Sequence, residues 1–326
     1  MATIEPAARP TARSSADPDH ERPTIRALGA TDLPGALKLT RAASWNQNEA
    51  DWRMMLELGR GWGIDTNGDD ARSSLVASIV VLPYGDAFAW ISMVLVAPEF
   101  RGRGYAQRLL RHALGALARR GMGGVLDATP AGHPVYRQEG FVDSWRFRRF
   151  LRDAAPTSAD RAAPTNTRQA NATRAGDDSA PSNAAVRALQ KRDWPQISML
   201  DRSAFGGDRS ALLRRLAARL PRAAHVAERE GRLAGFVLGR DGHEAQQIGP
   251  LVCDDPVLVP ALLDAALSSI EGPIYLDAAD HHGPLLDALA ERGFAEQRPF
   301  TRMLHALDRA PGDERRVFLV AGPELG

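Results

Sequence analysis

Residues 94–106 read VLVAPEFRGRGYA: an apolar strand end, a break at Ala97-Pro98, and then an Arg-Gly-Arg-Gly turn. The turn leads into AQRLLRHALGALARR (106–120), where Leu109, Leu110, Ala113, Leu114 and Leu117 recur at helical spacing. That spacing predicts an amphipathic helix over about 103–120 with one face in the core. The first turn of a helix exposes unpaired backbone N–H groups at the positive end of its dipole, and these bind an anion when no side chain blocks the approach. Gly102 and Gly104 leave that approach open, and Arg101 and Arg103 bring positive charge beside it. Strand, glycine turn and helix together predict a site for a phosphate ester. A Walker loop would need Lys followed by Ser or Thr, and a dinucleotide fingerprint would need glycine where Gln107 stands, so neither applies.

Outward from this stretch, SLVASIVVL (74–82) and FAWISMVLV (88–96) are rich in β-branched residues and bracket the turn Pro83-Tyr84-Gly85-Asp86, which predicts a hairpin. The surrounding pattern predicts strands at 24–28, 72–82, 87–97, 123–128 and 141–151, with helices at 32–42, 48–59, 103–120 and 133–139. The expected fold class is α/β, an α+β layered domain with a mixed, mostly antiparallel sheet flanked by helices.

Arg101-x-x-Gly104-x-Ala106 after a VxVxP strand, followed downstream by Tyr136-x-x-x-Gly140-Phe141, resembles the acyl-CoA loop and tyrosine of the GNAT acetyltransferase superfamily. The resemblance implies that main-chain groups of Val94, Leu95 and Val96 pair with the pantetheine arm of acetyl-CoA. It implies that backbone amides from Gly102 through Arg103, Gly104 and Tyr105 to Ala106, helped by Arg101, hold the pyrophosphate. Tyr136 falls where many members place the acid that protonates the departing thiolate, a task suited to a phenol whose pKa lies above that of a thiol. The other reading of Tyr136 is a packed aromatic on a short helix. A base is also needed, and Glu49, Asp51 and Asp127 are the candidates, Glu99 being too close to the phosphates. WNQNEADW (45–52) follows the first helix, a segment that in this superfamily often closes over the acceptor. Trp45, Asn46, Gln47 and Asp51 are therefore the acceptor-pocket candidates, against a plain packed helix anchored by tryptophan.

The chain carries a second copy of the pattern. IRALGATDLPGALKLTRAA (25–43) and VRALQKRDWPQISMLDRSA (186–204) share eight of nineteen positions, and both blocks end in an LDA strand and a helix closed by Gly-Phe. Asp32 and Asp193 are expected as helix N-caps, and Gly140 and Gly293 as left-handed residues just past helix ends. The expected organisation is a disordered tail at 1–23, a catalytic domain at 24–152, a disordered linker at 153–183, a degenerate second domain at 184–307 and a C-terminal tail at 308–326. In the second block the loop reads CDDPVLVPALL, where Asp254 and Asp255 would repel a pyrophosphate, and no tyrosine matches Tyr136. Block two is left to shape the acceptor pocket or a homodimer interface.

The 326 residues carry 41 Lys and Arg against 40 Asp and Glu, a net charge of +1, so no global field recruits nucleic acid or an anionic membrane. One cysteine, Cys253, excludes an internal disulfide and a Cys-based zinc site, and no metal is expected. No window spans a bilayer and the N-terminus lacks a secretory apolar run, so the expected location is cytoplasmic. The function implied is acetyl-CoA-dependent N-acetyl transfer, by direct attack, to the amine of a small molecule. The alternative is a non-catalytic acyl-CoA-binding sensor.

Overall fold

The computed structural model describes residues 23–66, 74–153 and 184–326. Nearly all of the expected N-terminal tail and linker therefore lies outside the described residues. The first half runs β1 (Ile25–Leu28), α1 (Leu33–Ala42), α2 (Glu49–Leu58), β2 (Arg60–Asp65), β3 (Leu75–Pro83), β4 (Phe88–Val96), α3 (Tyr105–Ala118), β5 (Gly123–Ala128), α4 (His133–Gln138) and β6 (Val142–Arg152). The second half repeats that order: β7 (Ala184–Ala188), α5 (Trp194–Phe205), α6 (Ser210–Arg219), β8 (His225–Arg229), β9 (Arg232–Arg240), β10 (Gln246–Cys253), α7 (Val259–Leu267), β11 (Ile274–Ala279), α8 (Gly283–Glu291) and β12 (Ala295–His305). A further short strand, β13 (Val317–Leu319), has no counterpart among the described residues of the first half. None of the described helices is long and apolar enough to cross a membrane.

The predicted elements form close to their expected bounds, with one omission. RGWGID, β2, has two glycines that weaken its strand signature. Their reason is packing: a Cβ on Gly61 would press on Leu56 and Leu28, and one on Gly63 on Leu75 and Leu28. Asp32 and Asp193 do not cap the long helices as expected. Each closes the short 3-10 turn before its helix, accepting from the backbone N–H of Gly29 at 2.8 Å and of Gln190 at 2.7 Å. Each also pairs with the arginine six residues earlier, Arg26 and Arg187. The same device in both halves ties β1 and β7 to the helices that follow them. Gly140 and Gly293 do take left-handed φ, +86° and +78°.

All thirteen strands lie in one sheet, in the order β1-β2-β3-β4-β5-β12-β6-β11-β13-β10-β9-β8-β7. The halves have exchanged their last strands. β12 of the second half pairs with β5 of the first, and β6 of the first pairs with β11 of the second, while β6 and β12 pair with each other. The expected boundaries at 152 and 184 are thus breaks in sequence and not in space. Two reciprocal ion pairs lock the exchange. Arg302 on β12 grips Asp127 on β5 through both oxygens at 2.9 and 3.0 Å. Arg149 on β6 grips Asp277 on β11 at 2.8 Å through both. All four side chains are buried, where a lone charge would be costly and a bidentate partner offsets the lost hydration.

Residues 308–326 are not a tail. They return across the sheet, place β13 between β10 and β11, and end with Val320, Ala321 and Leu325 in the core. Burial of these apolar groups is what holds the segment.

Candidate active site

β4 and β5 are parallel partners only from Phe88 to Trp90, opposite Gly123 to Val125. Past Trp90 the two strands diverge, and β4 continues to Val96 with that edge unpaired. Its other edge pairs with β3 through a bulge, where Ser78 faces Leu95 and Val80 faces Ser92. Met93 carries the strain of the bulge with φ of +52°, and Ser78 Oγ donates to its carbonyl at 2.9 Å. Bulges beside sites re-aim a strand edge. Here the free edge holds Val94, Leu95 and Val96, the residues expected to meet a pantetheine arm.

At the end of this edge, a 3-10 turn at Pro98–Phe100 leads into the glycine loop. Gly102 and Gly104 have φ of +76° and +77°, and Gly104 is the N-cap of α3. Among the described residues, the backbone N–H groups of 102 to 107 donate to no protein acceptor. They line a groove closed on its far side by Val135 and Gln138 of α4. Arg101 and Arg103 are exposed and have no carboxylate partner among the described residues, donating only to the carbonyls of Val96 and Glu99. The groove can therefore accept a polyanion at the positive end of α3. Gly104→Ala should lower stability by about 1–2 kcal/mol, because alanine in the left-handed region is strained even though its Cβ would meet no neighbour. Denaturant unfolding of that variant measures it.

Beside the groove, along the same gap between β4 and α4, lies a second cavity. It is lined by Met93 and Val94, Tyr136, Trp45 and Gln47, with Arg149, Arg298 and Phe300 from the exchanged strands and Glu324 from the C-terminal segment. Tyr136 packs edge-on against Phe141 at 5.9 Å, and burial pushes its phenol up to about 12. The phenol therefore stays protonated through any ordinary working pH, which is the state a proton donor needs.

The remaining candidates divide. Asp127 lines this cavity, with both oxygens on Arg302, and burial pushes its carboxyl up to about 6 against the pull of that guanidinium. Glu49 is outside the cavity, on the exposed face of α2, paired with Arg53 at 2.6 Å. Asp51 is fully buried but serves architecture: it accepts from the backbone N–H of Asn48 and is clamped by Arg219 and Arg240 at 2.5 and 2.8 Å. With donors on both oxygens, it does not line the cavity. Of the acceptor-pocket candidates, Trp45 and Gln47 line the cavity, and Asn46 does not. The Asn46 amide instead joins the halves, donating to Ala245 O and accepting from the N–H groups of Glu244 and Ala245.

Glu324 escaped the sequence reading because nothing in GPELG signals a site. It is 3% exposed, with Oε1 held by Arg240, while Oε2 has no hydrogen-bond partner among the described residues. Its backbone is pinned on both sides: Trp90 Nε1 donates to Pro323 O at 2.9 Å and Tyr84 OH donates to Leu325 O at 2.8 Å.

In the second half the equivalent gap is filled. β10 and β11 are parallel partners from Gln246 to Ile248, and where they part, β13 pairs with Leu251 and Val252 on one side and Ala278 on the other. The protein's own strand occupies the edge that β4 leaves open. Asp254 is held by Arg316 and so ties down the filling segment, while Asp255 is held by Arg229 of β8. Cys253 is buried beside them, and burial, more than the flanking acids, pushes its thiol up to about 11.

Family relationships define the class as an acyltransferase. Two GNAT acetyltransferase domain models match, one at residues 62–143 and the other at 197–319, and the chain belongs to the GNAT acetyltransferases as a tandem member. It is 22% identical to the uncharacterized N-acetyltransferase YitH of Bacillus subtilis, over 90% of this chain and 95% of the relative. It is 24% identical to the holothin acyltransferase of a Pseudoalteromonas species, over 77% and 78% of the two chains. Its fold matches that of a tandem GNAT protein from the clavulanic acid biosynthesis pathway at a TM-score of 0.57 and 17% identity, over 88% of this chain and 99% of that one.

Proposed function

We propose that the first half is an acetyl-CoA-dependent N-acetyltransferase for a small-molecule amine and that the second half binds no coenzyme. The observation that carries this reading is the asymmetry of the two gaps: one bears an open strand edge and a loop of free amides, the other is occupied by β13. In the first half the pyrophosphate of coenzyme A would sit on the amides of residues 102 to 106 between Arg101 and Arg103, and its pantetheine arm would extend β4 at Val94 to Val96 as an added strand. The thioester then reaches the cavity that Tyr136 borders. The amine nitrogen attacks the thioester carbonyl carbon, its proton passes to a carboxylate of the cavity, the carbon–sulfur bond breaks, and the Tyr136 phenol gives its proton to the leaving thiolate.

Purified protein should melt at higher temperature with acetyl-CoA, and acetyl-CoA with an amine panel should release free thiol. The absence of any coenzyme-dependent shift would sink the proposal. Because the Tyr136 phenol is raised to about 12, the rate should show no fall from phenol ionisation up to roughly pH 10, the ordinary pKa of tyrosine. An alkaline limb below that pH, abolished by Tyr136→Phe, would show that the phenol is not raised in this way.

A further inference from the structure

The cavity next to Tyr136 contains four charged side chains, and their partners differ. Arg149 is neutralised by Asp277, and Asp127 by Arg302. Glu324 has given one oxygen to Arg240 and keeps Oε2 free, buried and facing no donor among the described residues. Arg298 on β12 is the counterpart. It has no salt bridge or hydrogen bond among the described residues, its Nε is buried without a partner, and its guanidinium rests on the Phe300 ring with 5.4 Å to the centroid. The rest of the lining mixes apolar Trp45, Ile91 and Phe300 with Gln47, Ser92 and Thr129. Gln47 Oε1 is also buried without a partner among the described residues, but a neutral amide oxygen takes no proton.

From this pairing we infer that the acceptor is zwitterionic, a primary amine carrying a carboxylate or other anionic group, with its amine at Glu324 Oε2 and its anion at Arg298. The inference rests on the first half being the transferase site and adds the class of acceptor and the proton's destination. An amine arriving as ammonium needs an acceptor oxygen that is not already committed. Asp127 has none, since both of its oxygens lie within 3.0 Å of Arg302. Glu324 has one, and it is fixed by a pinned backbone. A bare monocation would also enter a cavity whose one unneutralised charge is the Arg298 guanidinium, which disfavours it. A molecule with both charges satisfies both groups, and buried charged groups strongly favour ligands that do so. Glu324 Oε2 takes one proton from the ammonium and so frees the lone pair that attacks the acyl carbon. As the carbon–sulfur bond breaks, the Tyr136 phenol protonates the thiolate and the second proton of the nitrogen restores the phenol.

The test uses the full chain with acetyl-CoA and matched acceptors: α-, β- and γ-amino acids, each beside the amine lacking its carboxylate. Thiol release should be faster for at least one amino acid than for its partner amine, by about 10- to 100-fold in kcat/KM. Arg298→Gln should raise KM for that amino acid by a similar factor and lower it for the partner amine, which no longer meets the guanidinium, whereas Glu324→Gln should lower kcat by about 100-fold or more. Thermal melting of both variants with acetyl-CoA shows that fold and coenzyme site are intact. Preference for uncharged amines, equal loss on both members of a pair in Arg298→Gln, or turnover of no zwitterion by protein that binds acetyl-CoA would each overturn the assignment. Failure to bind acetyl-CoA at all would instead overturn the transferase reading beneath it.

Discussion

Replacing Arg302 with methionine should cost about 3–5 kcal/mol of unfolding free energy, because it strands the buried Asp127 carboxylate. Arg302 is 5% exposed, and its guanidinium lies between Trp90 and Trp145, 4.4 and 4.1 Å from their centroids. Methionine can fill much of that slot, so the loss would come from the unpaired acid rather than from a void. The pair also joins β12 of the second half to β5 of the first, so its loss should weaken the junction between the halves as well as soften one strand. Urea unfolding followed by tryptophan fluorescence measures the change. The double variant with Asp127→Leu should regain most of the stability, since an apolar pair of similar volume replaces a buried ion pair with little or no net cost. A single variant within 1 kcal/mol of the parent, on the scale of an exposed pair, would show that the exchange is not locked in this way.

The second large effect is on rate. Tyr136→Phe should lower kcat by about 100- to 10,000-fold, the range for loss of a positioned general acid, with little change in the acetyl-CoA-dependent melting shift. The ring packs on Phe141, and phenylalanine keeps that contact while removing only the hydroxyl. Rate and coenzyme binding should therefore come apart in this variant. A drop of both together would point to a packing role, an unchanged rate would mean that Tyr136 is not the acid, and no turnover above background in either protein would return the chain to the non-catalytic, acyl-CoA-binding alternative.

The loop proposed to hold the coenzyme was legible in the sequence because every part of it is local. Val94–Val96, the Ala97-Pro98 break, the two glycines and the helix lie within a few residues of one another, and their geometry follows from backbone sterics and helix-end amides. Duplication was legible for the same reason: Arg26 with Asp32 and Arg187 with Asp193 repeat at one spacing, and Gly140 and Gly293 end their helices alike. The acceptor side was not. Asn46 and Asp51 look like pocket residues in WNQNEADW, yet their partners are Glu244 and Ala245 for one, Arg219 and Arg240 for the other. Those partners are more than 160 positions away, and no local pattern names them.

Residues 308–326 mark the limit most clearly. By composition they read as a tail, having short apolar runs and no periodicity. In the fold they fill the second half's cleft with β13 and bring Glu324 into the first half's cavity. Local sequence thus established the repeated unit, the order of its elements apart from β2, and the glycine loop with its free amides, all governed by short-range sterics and helix-end electrostatics. Tertiary structure alone decided which of two equivalent clefts stays open and which charges meet inside it, because strand exchange and buried pairing depend on groups that only the folded chain brings together.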